Sequence, residues 1–546
     1  MTDTTRTIMS QDNLTAKQLD YAVFLPAISG FYATFIGKQR NEEYVDPTRL
    51  PQGLTDMEQL NWLNDQKGLF HYKWSLYSGG HANLDLNKQD WSEDMVRNRD
   101  PNTFMLGDSG GFQIAKGLWE GDWKANSGCA KAQKKRDAVL KWLDSVADYG
   151  MILDIPTWVI HDKKASTACQ ITTLQEAVDA TKFNNEYFMK HRKGVANGGA
   201  KFLNVLQGDN HTSADQWYET MKEYCDPVKY PDTHFDGWSM GGQNMCDVHL
   251  VLKRLVALRY DNLLQEGKHD WMHFLGTSKL EWAVLLTVIQ RAVRKYVNPN
   301  FTISFDCASP FLATANGQIY HHIDLPQDEK WCYRMSPGID NKKYATDTRK
   351  FSTVAMTDYH AHFKHFDESP ISDLCKIKDI CIYKPGVAKP GITLTPENLQ
   401  DPQSYSVQPD LNKNGKWGKT SWDSFSYALQ MGHNVWTHIE AVQRANREFD
   451  AGAHPAMMRR NGGDYVFFED VVEAIFAAPD RDTAEAIIET YDTYWMQIVG
   501  TRGFKGKKTK NANTMFNALF DVDKDDDGVA EDEIELDQSK LDQLEQ

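Results

Sequence analysis

The feature that most constrains this chain is a rhythm of short apolar runs, each stopping at a polar residue or a glycine. Phe104-Met105-Leu106 stops at Gly107-Asp108, and Met151-Ile152-Leu153 at Asp154. Phe202 to Leu206 stops at Gln207-Gly208, and Phe235 to Met240 at Gly241-Gly242. Met272 to Leu275 stops at Gly276, and Phe301 to Phe305 at Asp306. Helix-like segments separate most of these runs, among them Ala130–Val146, Leu174–His191 and Leu280–Tyr296. Buried strands alternating with helices indicate a parallel sheet. Six or more such units in about 300 residues favour an α/β fold of the (β/α)8 TIM-barrel type over an open sheet. In that barrel the residues just past the strand ends build the active site. Asp108, Asp154, Gln207, Gly241 and Asp306 are therefore expected at one mouth.

The barrel domain is expected over residues 15–450. Residues 325–425, rich in Asp, Lys, Pro and Asn, break the rhythm and are expected to form an insertion near the last barrel units. A helix resumes near Tyr427, with Val435, Ile439, Val442 and Phe449 on one face. Residues 451–520 form a helical and basic C-terminal extension, with a helix expected from Asp482 to Val499 and Gly500 as its C-cap. The basic loop TRGFKGKKTKNAN follows. Residues 521–546 hold 12 acidic and 2 basic residues, and this tail is expected to be disordered. It accounts for −10 of the net charge of −16, so the remainder is only mildly acidic and leaves room for a basic groove that binds nucleic acid. The pattern D-x-D-x-D-G from Asp523 resembles a calcium loop, but its twelfth position is Ile534 where a bidentate Glu is needed. No apolar run approaches 18 residues, so no membrane span is expected. The polar N-terminus lacks a signal-peptide core, and eight cysteines in a chain of 546 make no disulfide framework. Together these point to a cytoplasmic protein with reduced thiols.

The stretch GDSGGFQ, Gly107 to Gln113, admits two chemistries. GDSGG surrounds the nucleophilic serine of trypsin-like proteases. In that reading Ser109 needs a histidine and an aspartate, with the histidine earlier in the chain. Only His71 and His81 precede the motif, which begins at residue 107, and the strand rhythm does not suit paired antiparallel barrels. In the other reading Asp108 carries the chemistry, and the glycines let a flat ligand approach the backbone.

The second reading is supported by a resemblance. DSGGFQ resembles the signature of tRNA-guanine transglycosylases, which exchange a guanine base for a 7-deazaguanine. Further stretches resemble family motifs in the same order over about 330 residues. LDIPT (153–157) is similar to LDECTP, VLQG (205–208) to VQGG, and FDGWSMGGQ (235–243) to FDGYAIGGL. HFLGTS (273–278) is similar to YLMGVG and FDCASPFLATANG (305–317) to FDCVMPTRNARNG. Gly432-His433-Asn434 resembles the HN that opens the family's last barrel helix. The family fold is a (β/α)8 barrel.

The resemblance implies roles. Asp306 would be the nucleophile that holds the sugar covalently, as in retaining glycosidases. Asp108 would be general acid and base toward the leaving and entering bases. Asp154 and Gln207 would hydrogen-bond the purine edge, and Gly241 and Gly242 would offer backbone groups. Phe112 and Leu275 would sandwich the ring, while Ser109 and Gly110 would contact the base. Each has a plainer role as well: an Asp after a strand is a helix N-cap, a Gly pair is a turn, and Phe112 is core. Gln243 stands where the family has Leu.

The departures from the family are informative. The two arginines of the family's TRNAR segment, which grip the anticodon loop, are replaced by Leu312 and Ala315. Phosphate and base contacts need such cations. The chain therefore looks like the phage and bacterial branch of the superfamily, which places 7-deazaguanines such as preQ0 into DNA. The alternatives are a tRNA transglycosylase of altered specificity and a non-catalytic subunit that only binds nucleic acid. The family's zinc spacing is missing, but Cys375, Cys381 and His433, with His365 or another group as the fourth ligand, retain the elements of a structural zinc site; the plainer reading is buried thiols and surface histidines. Lys505, Lys507, Lys508 and Lys510 are candidate phosphate contacts. Family members dimerise, so a homodimer is expected, with no organic cofactor.

Overall fold

A computed structural model describes residues 20–40, 51–88, 94–315, 317–339, 344, 346–354, 366–381 and 424–498. Its centre is one eight-stranded sheet, with strands β1 (Val23–Pro26), β2 (Trp74–Ser78), β3 (Phe104–Asp108), β4 (Tyr149–Met151), β5 (Lys201–Leu206), β6 (Gly237–Met240), β7 (Trp271–Phe274) and β8 (Thr302–Cys307). The order is β1-β8-β7-β6-β5-β4-β3-β2, and each neighbouring pair is parallel. A parallel bridge between Ala27 and Leu76, with Ile28 N–H donating to the Leu76 carbonyl at 2.9 Å, joins the two edge strands. The expected α/β barrel is thus the architecture. Six of its strands lie in or beside the apolar runs of the sequence. The other two, VFLP and WSLYS, follow no helix-length apolar pattern, and the serines of β2 interrupt its apolar run.

Strands in such a sheet are covered on both faces, which is why even their polar members are buried. Asn204 in β5 is solvent-free and donates from Nδ2 to the Met221 carbonyl at 2.8 Å. Four strands begin with an aromatic residue: Trp74, Phe104, Tyr149 and Trp271. These rings meet at the N-terminal end of the barrel. Phe104 and Trp271 stack at 4.7 Å, Tyr149 lies 5.4 Å and Trp74 6.0 Å from Trp271. They form an aromatic floor at that end.

The outer helices form where caps and apolar faces coincide. Leu174–His191 starts at Thr173, whose side chain accepts from Glu176 N–H, while Glu176 reaches back to Thr172 N–H at 2.8 Å. Val248–Tyr260 is capped by Asp247 and His211–Met221 by Asn210. The long helix Ser424–Asp450 completes the ring against Leu280–Tyr296.

Between β8 and that long helix lie the helix Ser309–Ala315 and an antiparallel hairpin of β9 (Gln318–Asp324) and β10 (Cys332–Pro337). Regular structure after the barrel strands therefore begins before residue 325. The helix expected over 482–499 is two helices, Arg481–Thr490 and Asp492–Trp495, broken at Tyr491. The Trp495 indole donates to the Ile488 carbonyl at 2.8 Å, a bond outside the i to i+4 helical ladder, and the apolar side expected of one helix packs through this turn. The extension docks on the barrel helices through Tyr260 Oη to the Ala478 carbonyl (3.1 Å) and His249 Nε2 to Glu489 (3.0 Å). Gly500, the basic loop with Lys505, Lys507, Lys508 and Lys510, the acidic tail and the calcium-like loop lie outside the described residues. Among the described residues no helix is long and apolar enough to cross a membrane.

Gly237 opens β6 where a Cβ would lie 2.2 Å from the Trp271 carbonyl oxygen and 2.8 Å from Leu203. Backbone cannot give way as a side chain can. Gly237→Ala is expected to lower unfolding free energy by about 2–4 kcal/mol in denaturant titration. Gly463→Ala, which meets open space, is expected to stay within about 0.5 kcal/mol.

Candidate active site

The sequence GDSGGFQ builds the corner of the site. Asp108 ends β3. Directly after it, Ser109 is fully buried and donates from Oγ to the Ile152 carbonyl at 3.0 Å, pinning the β3 end to the segment after β4. Gly110 has φ +82°, in the left-handed region, and a Cβ there would lie 2.5 Å from Trp119. A Cβ on Gly111 would lie 2.6 Å from the Asp154 carbonyl. The glycines thus bring the Asp108 and Asp154 segments together. Ser109 is a buried strap, facing neither solvent nor a histidine, and the protease chemistry is not assembled around it. Phe112 is half-buried, with its ring 5.8 Å from Trp158 and the Lys116 ammonium 5.2 Å above it.

Asp108 is held by Ser78, the last residue of β2 and its register partner, whose hydroxyl donates to Oδ2 at 2.6 Å. Gly110 N–H donates to Oδ1 at 3.3 Å. Burial pushes the Asp108 carboxyl up from its ordinary value. The Ser78 and Gly110 donors oppose this, the negative charge of Asp306 adds to the rise, and His273 works against it.

Asp154 follows β4 and Gln207 follows β5. The Gln207 amide donates from Nε2 to Asp154 Oδ2 at 2.7 Å, and both residues are buried. The Asp154 carboxyl is pushed up to about 7, mainly by burial and further by the charge of Asp108, with the Gln207 bond pulling the other way. Gln207 Oε1 is buried without a hydrogen-bond partner. A Cβ on Gly241 would lie 2.7 Å from Gln207 Nε2, and one on Gly242 would lie 2.9 Å from Oε1 and 2.4 Å from the Gly208 carbonyl. The bare Gly241-Gly242 backbone is therefore what allows the Gln207 amide to lie flat across the loops after β5 and β6. Leu275, half-buried after β7, borders Gly241 from the other side.

Asp306 lies near the end of β8 and is buried. Its Oδ1 accepts from His273 Nε2 at 3.0 Å and from Gly276 N–H at 2.9 Å. His273 Nδ1 contacts Ser304 Oγ at 2.8 Å, and the same oxygen accepts from Trp271 Nε1 at 2.8 Å. His273 and Ser304 are register partners across β7 and β8. Ser78, His273 and Ser304 are not among the residues expected from the sequence. Their signal is the period of two: Ser304 shares a strand face with Asp306, and His273 is a polar residue within the apolar run of β7.

The remaining candidates sit apart from this mouth. Leu312 is buried on the helix after β8 and Ala315 is half-buried at its end, so neither offers a cation to a phosphate. Asn434 ties the last barrel helix to the segment after β8, donating to Thr314 Oγ1 at 3.0 Å and accepting from Tyr320 N–H at 2.9 Å. His433 is fully buried with Nε2 2.7 Å from the Tyr320 carbonyl and Nδ1 2.8 Å from Ser369 Oγ. Both ring nitrogens are committed, leaving no lone pair for a cation. Cys375 and Cys381 are buried, and His365 lies outside the described residues, as does the side chain of Gln243. Among the described residues no group of three or more His, Cys, Asp or Glu could hold a metal ion. The described donors do not fit a four-ligand zinc centre, and nothing below passes through one.

No protein-family model matches the chain, and no curated protein matches it.

Because the folded carboxyl of Asp154 titrates near 7 and an unfolded one near 4, its contribution to stability is fully present below about pH 4 and is lost as pH rises through about 7. Asp154→Asn removes that loss. Relative to the parent, the variant is expected to gain up to about 4 kcal/mol between pH 4 and pH 8, read from denaturant midpoints across that range. A difference independent of pH would contradict a buried, titrating Asp154.

Proposed function

We propose that the protein is a base-exchange transglycosylase acting on guanine in DNA, inserting a 7-deazaguanine such as preQ0. The observation that carries the reading is the pairing of two unlike carboxyls at one barrel mouth. Asp306 has one oxygen tied by two donors, and Asp108 is raised toward protonation by burial. Beside them the buried Asp154–Gln207 pair, with an unpartnered amide oxygen, suits the hydrogen-bonding edge of a purine. The ordered motifs that resemble the guanine transglycosylases supply the substrate class.

In this reading an Asp306 oxygen attacks C1′ of the nucleotide and the C1′–N9 bond breaks. The bonding pair stays on N9, and Asp108 delivers a proton to the departing guanine. The incoming base returns a proton from N9 to Asp108. Its N9 pair closes on C1′, and the ester to Asp306 opens to the free carboxylate. The surroundings suit these roles: a carboxyl pushed up by burial gives and takes a proton, and one held in place by two donors is positioned to attack. DNA is favoured over the tRNA anticodon loop because Leu312 and Ala315 supply no phosphate contact where the family has arginines. Guanine would leave the base stack to reach the mouth.

The test is mass spectrometry of nucleosides after incubating the protein and preQ0 with DNA or with tRNA. The modified base is expected in DNA alone, with a loss of at least about 1000-fold in Asp306→Ala. Modification of tRNA alone would assign the polymer differently. Activity on neither would favour a binding subunit.

A further inference from the structure

We infer that His273 is the positioning residue for Asp306, selecting which of its two carboxylate oxygens attacks. This rests on the transglycosylase reading. A continuous hydrogen-bonded column runs up the inside of β7 and β8, from Trp271 Nε1 to Ser304 Oγ, from there to His273 Nδ1, and from His273 Nε2 to Asp306 Oδ1. Chemistry gives the column a direction. An indole N–H can only donate, so Ser304 Oγ accepts from Trp271 and has its own proton to give. A carboxylate can only accept, so at the other end of the ring Nε2 carries a proton and gives it to Asp306 Oδ1, while Nδ1 meets Ser304 Oγ as acceptor or donor according to the charge of the ring.

The consequence is asymmetry at Asp306. His273 Nε2–H and Gly276 N–H both converge on Oδ1, which fixes the carboxylate plane and occupies that oxygen with donors. Oδ2 is left to meet C1′. His273 is solvent-free and its ring is fixed at both nitrogens, so the carboxylate cannot turn without breaking the column. The interior placement follows from the pleat: Trp271 and His273 share one face of β7, Ser304 and Asp306 one face of β8, and the parallel register sets His273 opposite Ser304. Within the column each donor depends on the residue before it, so the effect of removing one link should reach Asp306.

The experiment is exchange of labelled guanine into double-stranded DNA by the full chain, with kcat and the KM for guanine measured separately. His273→Phe is expected to lower kcat about 100-fold while leaving KM for guanine within about twofold, because Asp154 and Gln207 are untouched. His273→Gln places an amide N–H near the former Nε2 and is expected to recover kcat to within about tenfold of the parent. Ser304→Ala, which releases the far side of the ring, is expected to lie between them. Thermal melting confirms that each variant is folded. A folded His273→Phe with parental kcat overturns the inference, as does a His273→Gln no better than Phe, which would mean that only packing was lost. The failure of the underlying reading is separate: a parent protein whose exchange is no higher than that of Asp306→Ala overturns the transglycosylase reading and the positioning role with it.

Discussion

The closed parallel ladder is the constraint on which everything else depends. Because β1 to β8 run in one direction and Ala27 meets Leu76 across the seam, every strand delivers its C-terminal residue to the same end. Asp108, Asp154, Gln207, Gly241 and Asp306 are separated by up to about 200 positions in sequence and become neighbours only through that closure. Burial raises the carboxyls of Asp108 and Asp154, and the charge of Asp306 adds to the first and that of Asp108 to the second, so these three side chains lie close enough to feel one another.

Much of this was legible in the sequence, for a specific reason. Buried parallel strands need near-continuous apolar runs, and the residue that ends each run is free of the packing that dictates the others. Polar residues such as Asp108, Asp154 and Asp306 therefore stand out against their strands. Gly111 and Gly242 were legible as glycines but not for their cause: each avoids a clash with a neighbouring carbonyl, which depends on how separate loops approach. Two strands escaped notice. VFLP is four residues long, and the serines of WSLYS hide its burial, Ser78 being needed to hold Asp108. His433 looked like a metal ligand because sequence cannot show that a serine from residue 369 and a carbonyl from residue 320 occupy its two nitrogens. The break at Tyr491 was hidden for a similar reason, since apolar spacing continues across it.

The site follows a general rule about buried polar groups. Each buried hydrogen-bonding atom needs a partner, and most of those here have one within the protein. Ser109 and Asn434 are satisfied and act as straps. Gln207 Oε1 lacks one, as does Oδ1 of Asn244, whose amide donates to the Gly241 carbonyl at 3.1 Å. An unsatisfied acceptor in a desolvated place is a standing cost that a donor relieves.

The aromatic floor has a consequence for the far end of the barrel. Trp74, Phe104, Tyr149 and Trp271 pack together where the strands begin. Trp271 belongs to two systems at once: its ring stacks on Phe104, and its indole N–H donates to Ser304 Oγ. The packing at the bottom of the barrel is thereby a mechanical anchor for the carboxylate at the top, and a change in the floor is felt at Asp306 through Ser304 and His273.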